Sequence, residues 1–307
     1  MARNNKKKSK KALFKDKKMK VLIIAAVVFV LIGLTAAGAA FAVFKTYIDE
    51  IPEINFEALT RPPLTSYLYD KDGNEWTNID TTETREEVSL SSMPQHVIDA
   101  FIAIEDERFY DHSGFDLRAI GRAVMSNIRR QRSAQGGSTI TQQLVKNAFL
   151  TPDKEYKRKV QEVYLSYKLE REYFKEEILE FYLNWIYFDY STNGVEAASQ
   201  MFFRKSIGEV TLAEAVLLAA VPNNPGMYSP YRNIEQLKSR MSIILNKMVD
   251  LEMITEAEAE EAKSKEIVPV DNTGEIKTKE ENTEEINEEE NSGENGAEKV
   301  GTEIIKI

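Results

Sequence analysis

Cysteine is absent from the 307-residue sequence, and histidine occurs only twice, as His96 and His112. The first absence excludes disulfides, thiolate metal sites and a cysteine nucleophile, and it fits either redox compartment. The second leaves no pair of imidazoles at helix-ligand spacing, which argues against a zinc site. An overall basic charge is missing as well. The formal net charge is −10, and it is unevenly spread: residues 1–20 carry ten Lys/Arg against one Asp, residues 266–307 carry thirteen acids against four Lys, and the stretch between is itself net acidic. No nucleic-acid partner is expected from that balance, because such a partner calls for a basic patch. What is present is apolar material: 42% hydrophobic residues over this length are enough to bury one good-sized core or two small ones.

The longest apolar run is VLIIAAVVFVLIGLTAAGAAFAVF, residues 21–44, without one charge. About 20 apolar residues suffice to cross a bilayer as a helix, so the run predicts a transmembrane signal-anchor. A cleaved signal peptide is the rival reading, since Ala40 and Ala42 loosely fit a processing site, but its apolar stretch is normally only ~7–15 residues. The lysine-rich residues 1–20 precede the run and stay on the cytoplasmic side, which predicts an extracytoplasmic remainder.

Residues 45–82 read as a linker containing Pro52, Pro62 and Pro63, followed by SYLYDKDGNEW, a hairpin signal around Asp72-Gly73. From residue 83 to 265 the pattern is helical, with segments near 92–110, 116–130, 138–150, 155–173, 175–187, 194–203, 211–221 and 233–263. No alternation supports a large sheet, so the fold class expected is mainly α with a small β-hairpin. Residues 266–307, with EENTEEINEEENSGENG, have the composition of a disordered acidic tail.

Three places carry candidate chemistry. On a helix of ~3.6 residues per turn, Ile98, Phe101, Ile102, Glu105 and Phe109 share one face, so Glu105 stands in an apolar stripe while Glu107 points away as ordinary surface. A carboxylate so placed has its pKa raised by desolvation and suits proton exchange near neutral pH, although a glutamate at a loose core edge fits the same pattern. In YKRKVQEVYLSYKLEREY, Glu162 shares a stripe with Leu165, Leu169 and Tyr173 while Val160, Val163, Tyr164 and Tyr167 make another, which places Glu162 inside a central helix. Arg158 lies one turn before it, and an ordinary Arg–Glu helix pair remains the plain alternative. Two carboxylates in differing environments form the acid/base pattern of glycosyl chemistry. Between them, GGSTITQQLVKN puts Ser138 at a helix N-cap and Thr139, Gln143 and Lys146 at i, i+4 and i+7, an arrangement suited to a phosphate or diphosphate. A polar capped helix without a ligand reads equally well there.

Taken together, the segments resemble the peptidoglycan glycosyltransferases of family fifty-one, the lysozyme-like domain of class A penicillin-binding proteins and monofunctional transglycosylases. The resemblance covers roughly residues 83–265. It rests on Glu105-Asp106, Phe109, His112 and Gly114; on GGSTITQQLVKN; on RKVQE, residues 158–162, followed by KLE and ILEFYLN; and on LAEAVLLAAVPNNPGMYSPYRN, residues 212–233. It implies a membrane enzyme that polymerises lipid II into glycan strands, inverting the anomeric carbon and releasing undecaprenyl diphosphate. Glu105 would be the general base and Glu162 would assist at the donor. Thr139, Gln143, Lys146 and Arg158 would position sugar and diphosphate, with Asp106, Phe109 and His112 supporting Glu105.

No cofactor is required by that chemistry, and a Mg²⁺ or Mn²⁺ ion on the substrate diphosphate is compatible with it. The partners implied are lipid II, the growing glycan chain and the membrane, with other cell-wall synthesis proteins compatible. Two departures stand out: DYSTNG replaces a glycine- and asparagine-rich turn after Tyr187-Phe188, and Arg204 stands where the family commonly has glycine. No Ser-x-x-Lys or Lys-Thr-Gly of a transpeptidase occurs, so the chain is expected to be monofunctional or a fragment. FDLRAIGRAVMSNIRRQR, with Arg118, Arg122, Arg129, Arg130 and Arg132, reads either as a headgroup-facing helix or as an ordinary amphipathic one. A glycan hydrolase or lytic transglycosylase, and an inactive cell-wall scaffold, are the alternative functions.

Overall fold

The computed structural model describes residues 2–61, 67–69, 75–78, 84–130, 137–151, 155–265, 267, 269 and 270. The Asp72-Gly73 turn, Pro62-Pro63, Arg132, Gly136 and the acidic tail beyond Val270 lie outside the described residues. The chain divides into two units, residues 1–54 with 154–161 and residues 55–153 with 162–307.

In the first unit, helix α1 runs over Ala2–Asp49, so the basic leader and the apolar run form one 48-residue helix. Its Ile24–Asp49 portion is long and apolar enough to cross a membrane. Leu22, Phe29, Ile32, Leu34 and Phe41 are all exposed, which suits a helix whose surroundings are lipid rather than protein. Hydroxyls in and just after the run are satisfied locally: that of Thr35 donates to Leu31 O at 3.0 Å and that of Thr46 to Ala42 O at 3.0 Å. Residues 155–161 join α1 through Gln161 Nε2, which donates to Tyr47 O at 3.0 Å, and through the 2.7 Å ion pair of Lys157 with Glu50.

The second unit opens with a 3-10 turn, Phe56–Thr60, whose start is capped by the Asn55 side chain. Strands β1 (Tyr67–Tyr69) and β2 (Glu75–Asn78) pair antiparallel as the expected hairpin. After β3 (Thr84–Arg85) come α2 (Gln95–Glu105), α3 (Leu117–Arg130), α4 (Ile140–Phe149), α5 (Glu155–Glu172) and α6 (Lys175–Trp185). Strands β4 (Tyr187–Asp189) and β5 (Thr192–Asn193) follow, then α7 (Val195–Phe203), α8 (Leu212–Ala220), α9 (Ile234–Asp250) and α10 (Glu256–Ser264). The fold class is mainly α, as expected. A second sheet, in the order β3-β5-β4, was not expected: Thr84 and Arg85 pair parallel with Thr192 and Asn193. Strands of two residues are too short to show alternation in sequence.

The core forms where α2 packs on α8 and α9 and where α4 packs on α6. Helix α8 is the central one: Ala213 and Ala215–Ala220 are all buried, and Thr211 with Glu214 closes its start in a capping box. Helix α5 is one-faced instead of apolar on two sides, because Leu165 and Leu169 are buried while Val163 and Tyr164 are half-buried and Tyr167 is exposed. Two helical segments are shorter than the periodicity implies. Segment 92–110 stops at Glu105, where Asp106 leaves the helix with φ −159. Segment 233–263 breaks after Asp250: Glu252 takes φ +58, and a capping box of Thr255 and Glu258 starts α10. That Thr-x-x-Glu pattern is a start signal inside the apolar period.

Both departures from the family pattern fall on left-handed backbone. Arg204 ends α7 with φ +54, and the turn between β4 and β5 puts Asp189, Tyr190 and Ser191 at φ +109, +49 and +55. Glycine takes such angles without steric cost, which is the physical reason for it at these places.

Candidate active site

Glu105 is the last residue of α2, directly after the buried run Phe101, Ile102 and Ala103. Its side chain is only 9% exposed. Gln143 Nε2 of α4 donates to Glu105 Oε2 at 2.6 Å, and an Arg240 guanidinium nitrogen of α9 stands 3.8 Å from Oε1. Burial pushes the Glu105 carboxyl above its ordinary value, against the pull of the Gln143 bond and the charges of Arg240, Lys146 and Lys247. Two residues on, the balance reverses. Burial would raise Glu107 too, but its bond to Arg122 and the charge of Lys247, 3.3 Å away, hold its carboxyl below the usual value. Glu107 is therefore not ordinary surface; it ties the end of α2 to α3 and α9.

Asp106 points elsewhere. Its Oδ2 accepts from His112 Nε2 at 2.8 Å and from the backbone N–H of Ile140 at 3.1 Å. The negative charge at the N-terminus of α4 is thus supplied by the chain itself. Thr139, not Ser138, is the N-cap there: its hydroxyl accepts from Gln142 N, and Gln142 Oε1 accepts from Thr139 N in return. The Thr139 hydroxyl also donates to Gly114 O at 2.7 Å, and the residue is buried. Thr139 is engaged in capping and Gln143 in the bond to Glu105, while Lys146 is half-buried on α4.

Phe109 is fully buried through a 3-10 turn, Phe109–Asp111, and not by the phase of α2. Lys175 lies over its ring at 4.4 Å and donates to Glu170 at 2.8 Å; Glu170 also accepts from the Thr141 hydroxyl at 2.6 Å. His112 Nδ1 is 3.9 Å from Glu170, so the imidazole sits between two carboxylates. Tyr182 of α6 is fully buried with its hydroxyl lacking a hydrogen-bond partner among the described residues. Burial and the charges of Glu105 and Asp106 push its phenol well up. Glu162 is buried on α5, in the second unit. Arg158 is half-buried one turn earlier, in the first unit. Among the described residues, no three His, Asp or Glu side chains group so as to hold a metal ion.

Glu105, Asp106, Phe109, His112, Thr139 and Gln143 are brought together by α2, the loop to α3, and α4. Sequence reasoning missed Arg240, Lys247, Glu170, Lys175 and Tyr182. A signal for the first two exists: Arg240 and Lys247 stand seven apart, bordering the buried stripe Leu237, Met241, Ile244, Leu245 and Met248.

The sequence has relatives among known proteins. The family model described as Transglycosylase matches residues 72–249, more than half of the chain. Penicillin-binding protein 1F from Bacillus subtilis is 39% identical over 248 residues, covering 80% of this chain and 34% of its own length. Penicillin-binding protein 1A/1B from the same organism is 39% identical over 279 residues, covering 91% of this chain and 29% of its own. Penicillin-binding protein 1A from Aquifex aeolicus is 41% identical over 249 residues, with 81% and 33% covered. The chain thus spans about a third of the length of these curated relatives.

Proposed function

Because the chain belongs to the transglycosylase family, we propose that it is a membrane-anchored peptidoglycan glycosyltransferase that polymerises lipid II into glycan strands. The observation that carries the reading is Glu105: a buried carboxylate at a helix end, one oxygen bonded to Gln143 and the other left without a hydrogen bond among the described residues. Its raised pKa suits a general base, because a base poised near the working pH accepts and returns a proton most efficiently.

In the reaction, the 4-hydroxyl oxygen of the acceptor sugar attacks the anomeric carbon of the donor chain while Glu105 Oε1 takes the hydroxyl proton. The bond from that carbon to the lipid diphosphate breaks, and its electron pair leaves with undecaprenyl diphosphate. One displacement inverts the anomeric centre and needs no covalent enzyme intermediate. Gln143 holds the base in place, and Asp106 anchors Gln143 in turn by fastening the start of α4 to the His112 loop.

Lys146 supplies positive charge for the departing diphosphate, and Arg158 is given the same task on its motif alone. Glu162 works at the donor side. A Mg²⁺ or Mn²⁺ ion carried by the diphosphate needs only one or two protein carboxylates, and Glu162 is the residue suited to share it. The base chemistry at Glu105 needs no ion. The lysine-rich amino terminus supports a reading in which residues after α1 lie outside the cytoplasm, because positive residues stay on the cytoplasmic side.

The test is incubation of the full chain, in detergent micelles, with lipid II and separation of products by size. A ladder of muramidase-sensitive polymer with inverted linkages is expected. Shortened glycan from preformed strands would favour a hydrolase or lytic transglycosylase, and no change in either substrate would favour a scaffold.

A further inference from the structure

Glu105 is gripped from two sides. Gln143 of α4 bonds Oε2 at 2.6 Å, whereas Arg240 of α9 faces Oε1 at 3.8 Å, beyond hydrogen-bond length. Arg240 does not arrive there on a loose chain. Its Nε donates to Ala220 O at the end of α8 at 3.0 Å, its guanidinium lies 5.0 Å over the Tyr228 ring, and its side chain is 14% exposed. Three contacts from α8, the following loop and α2 therefore fix one rigid fork.

We propose that Arg240 is a positioning residue for Glu105: it holds a cation on the Oε1 side at a distance that leaves that oxygen free to take a proton. The inference rests on the glycosyltransferase reading for its rate consequence, but the charge placement can be measured without it. A direct bond from Arg240 would occupy the lone pairs the proton needs, and no cation at all would leave the buried carboxylate too reluctant to ionise. The guanidinium at 3.8 Å avoids both.

Other groups face Glu105. Lys146 comes from α4 and Lys247 from α9; Asp106 follows it in the chain, and Tyr182 lies behind it on α6. Helix α8, packed against α2, presents only apolar side chains over Ala215–Ala220. Lys247 is shared with Glu107 at 3.3 Å, whereas Arg240 has no second carboxylate within ion-pair distance among the described residues. Arg240 also borders an open cavity of about 320 Å³ beside Met227, Tyr228 and Ile243, so a shorter side chain there can be accommodated.

The experiment compares full-length wild type, Arg240→Gln and Arg240→Lys in micelles. Three quantities are measured: melting temperature, the pH profile of kcat/KM on lipid II, and titration of the Glu105 carboxyl by carbon-13 NMR, assigned by difference against Glu105→Gln. In Arg240→Gln, the acidic limb and the carboxyl titration should both move to higher pH. Its kcat/KM on the acidic side should fall by about tenfold, one decade of the two to four a placed general base contributes. Arg240→Lys should keep the limb near wild type, because the positive charge remains, yet lose rate, because lysine lacks the fork that bonds Ala220 O through one nitrogen and faces Glu105 with another. A folded Arg240→Gln whose limb and titration stay where they are overturns the proposal. So does a lysine variant whose limb moves as far as the glutamine variant's. If wild type makes no polymer, the glycosyltransferase reading fails while the carboxyl titration still decides the role of Arg240.

Discussion

Adding one methyl group at Gly114 is expected to damage both the fold and the site. Gly114 has φ +88, an angle at which a side chain is strained. A Cβ built there would also lie 2.6 Å from the backbone carbon of Ser166 and 2.7 Å from Tyr167 N, on α5. The obstacle is main chain in a helix, which cannot swing aside as a flexible side chain can. Left-handed strain of ~1–2 kcal/mol and overpacking of ~1–3 kcal/mol together suggest a loss of about 2–5 kcal/mol for Gly114→Ala. That is a large share of an ordinary folding stability of about 5–15 kcal/mol. The shift would also reach the site, because Gly114 O accepts the Thr139 hydroxyl and α5 carries Glu162 four residues before Ser166. Gly121, seven residues on and inside α3, is the control: nothing lies within 4 Å of its added Cβ. Gly121→Ala should gain about 0.5–1 kcal/mol from helix propensity. Urea melts followed by circular dichroism on both variants give the comparison. A Gly114→Ala midpoint equal to wild type, or both variants shifting alike, would refute the reasoning about close backbone approach.

Arg204→Gly relieves the left-handed end of α7 and should stabilise by about 1 kcal/mol, raising the melting temperature by about 2–4 °C; a drop would mean the Arg204 side chain contributes more than its strain costs. Glu105→Gln should be more stable than wild type at neutral pH. The sign follows from an acid whose folded pKa lies above its ordinary 4.5: wild-type stability declines as pH rises through that interval, because the unfolded chain ionises the group more readily. Urea midpoints at about pH 4 and about pH 8 should therefore agree at the lower pH and separate at the higher. A wild type that is the more stable of the two at the higher pH would mean that Gln143 and the surrounding cations outweigh burial.

Much of the arrangement is legible in the residues, for identifiable reasons. The apolar spacing of Ile98, Phe101 and Ile102 fixes which way Glu105 faces, since residues 95–105 are helical. The spacing also foretells a buried Phe109, but by a different route: the helix has already ended, and a 3-10 turn turns the ring inward. What ends it is a pairing across 34 residues, Asp106 with the Ile140 N–H, and no local pattern contains such a pair. The same limit hides the real use of Thr139, whose hydroxyl is committed to Gly114 O 25 residues away. Arg240 lies 135 positions from Glu105 and meets it only because α9 packs on α2. The two-residue strands β3 and β5 are out of local reach as well, being parallel partners 108 positions apart. Conversely, the break between α9 and α10 was available in Thr255-x-x-Glu258, a cap signal outweighed by the long apolar period around it.

The central claim is that Glu105 takes the acceptor's hydroxyl proton, and its most direct test is the rate of lipid II polymerisation by wild type and Glu105→Gln at matched folding, judged by melting temperature and circular dichroism. Glutamine keeps the shape and the Gln143 contact region but cannot accept the proton as a carboxylate does. The account predicts polymer from wild type and a rate reduced by about 10²–10⁴ in the variant. Polymer formed at an undiminished rate by Glu105→Gln would contradict it.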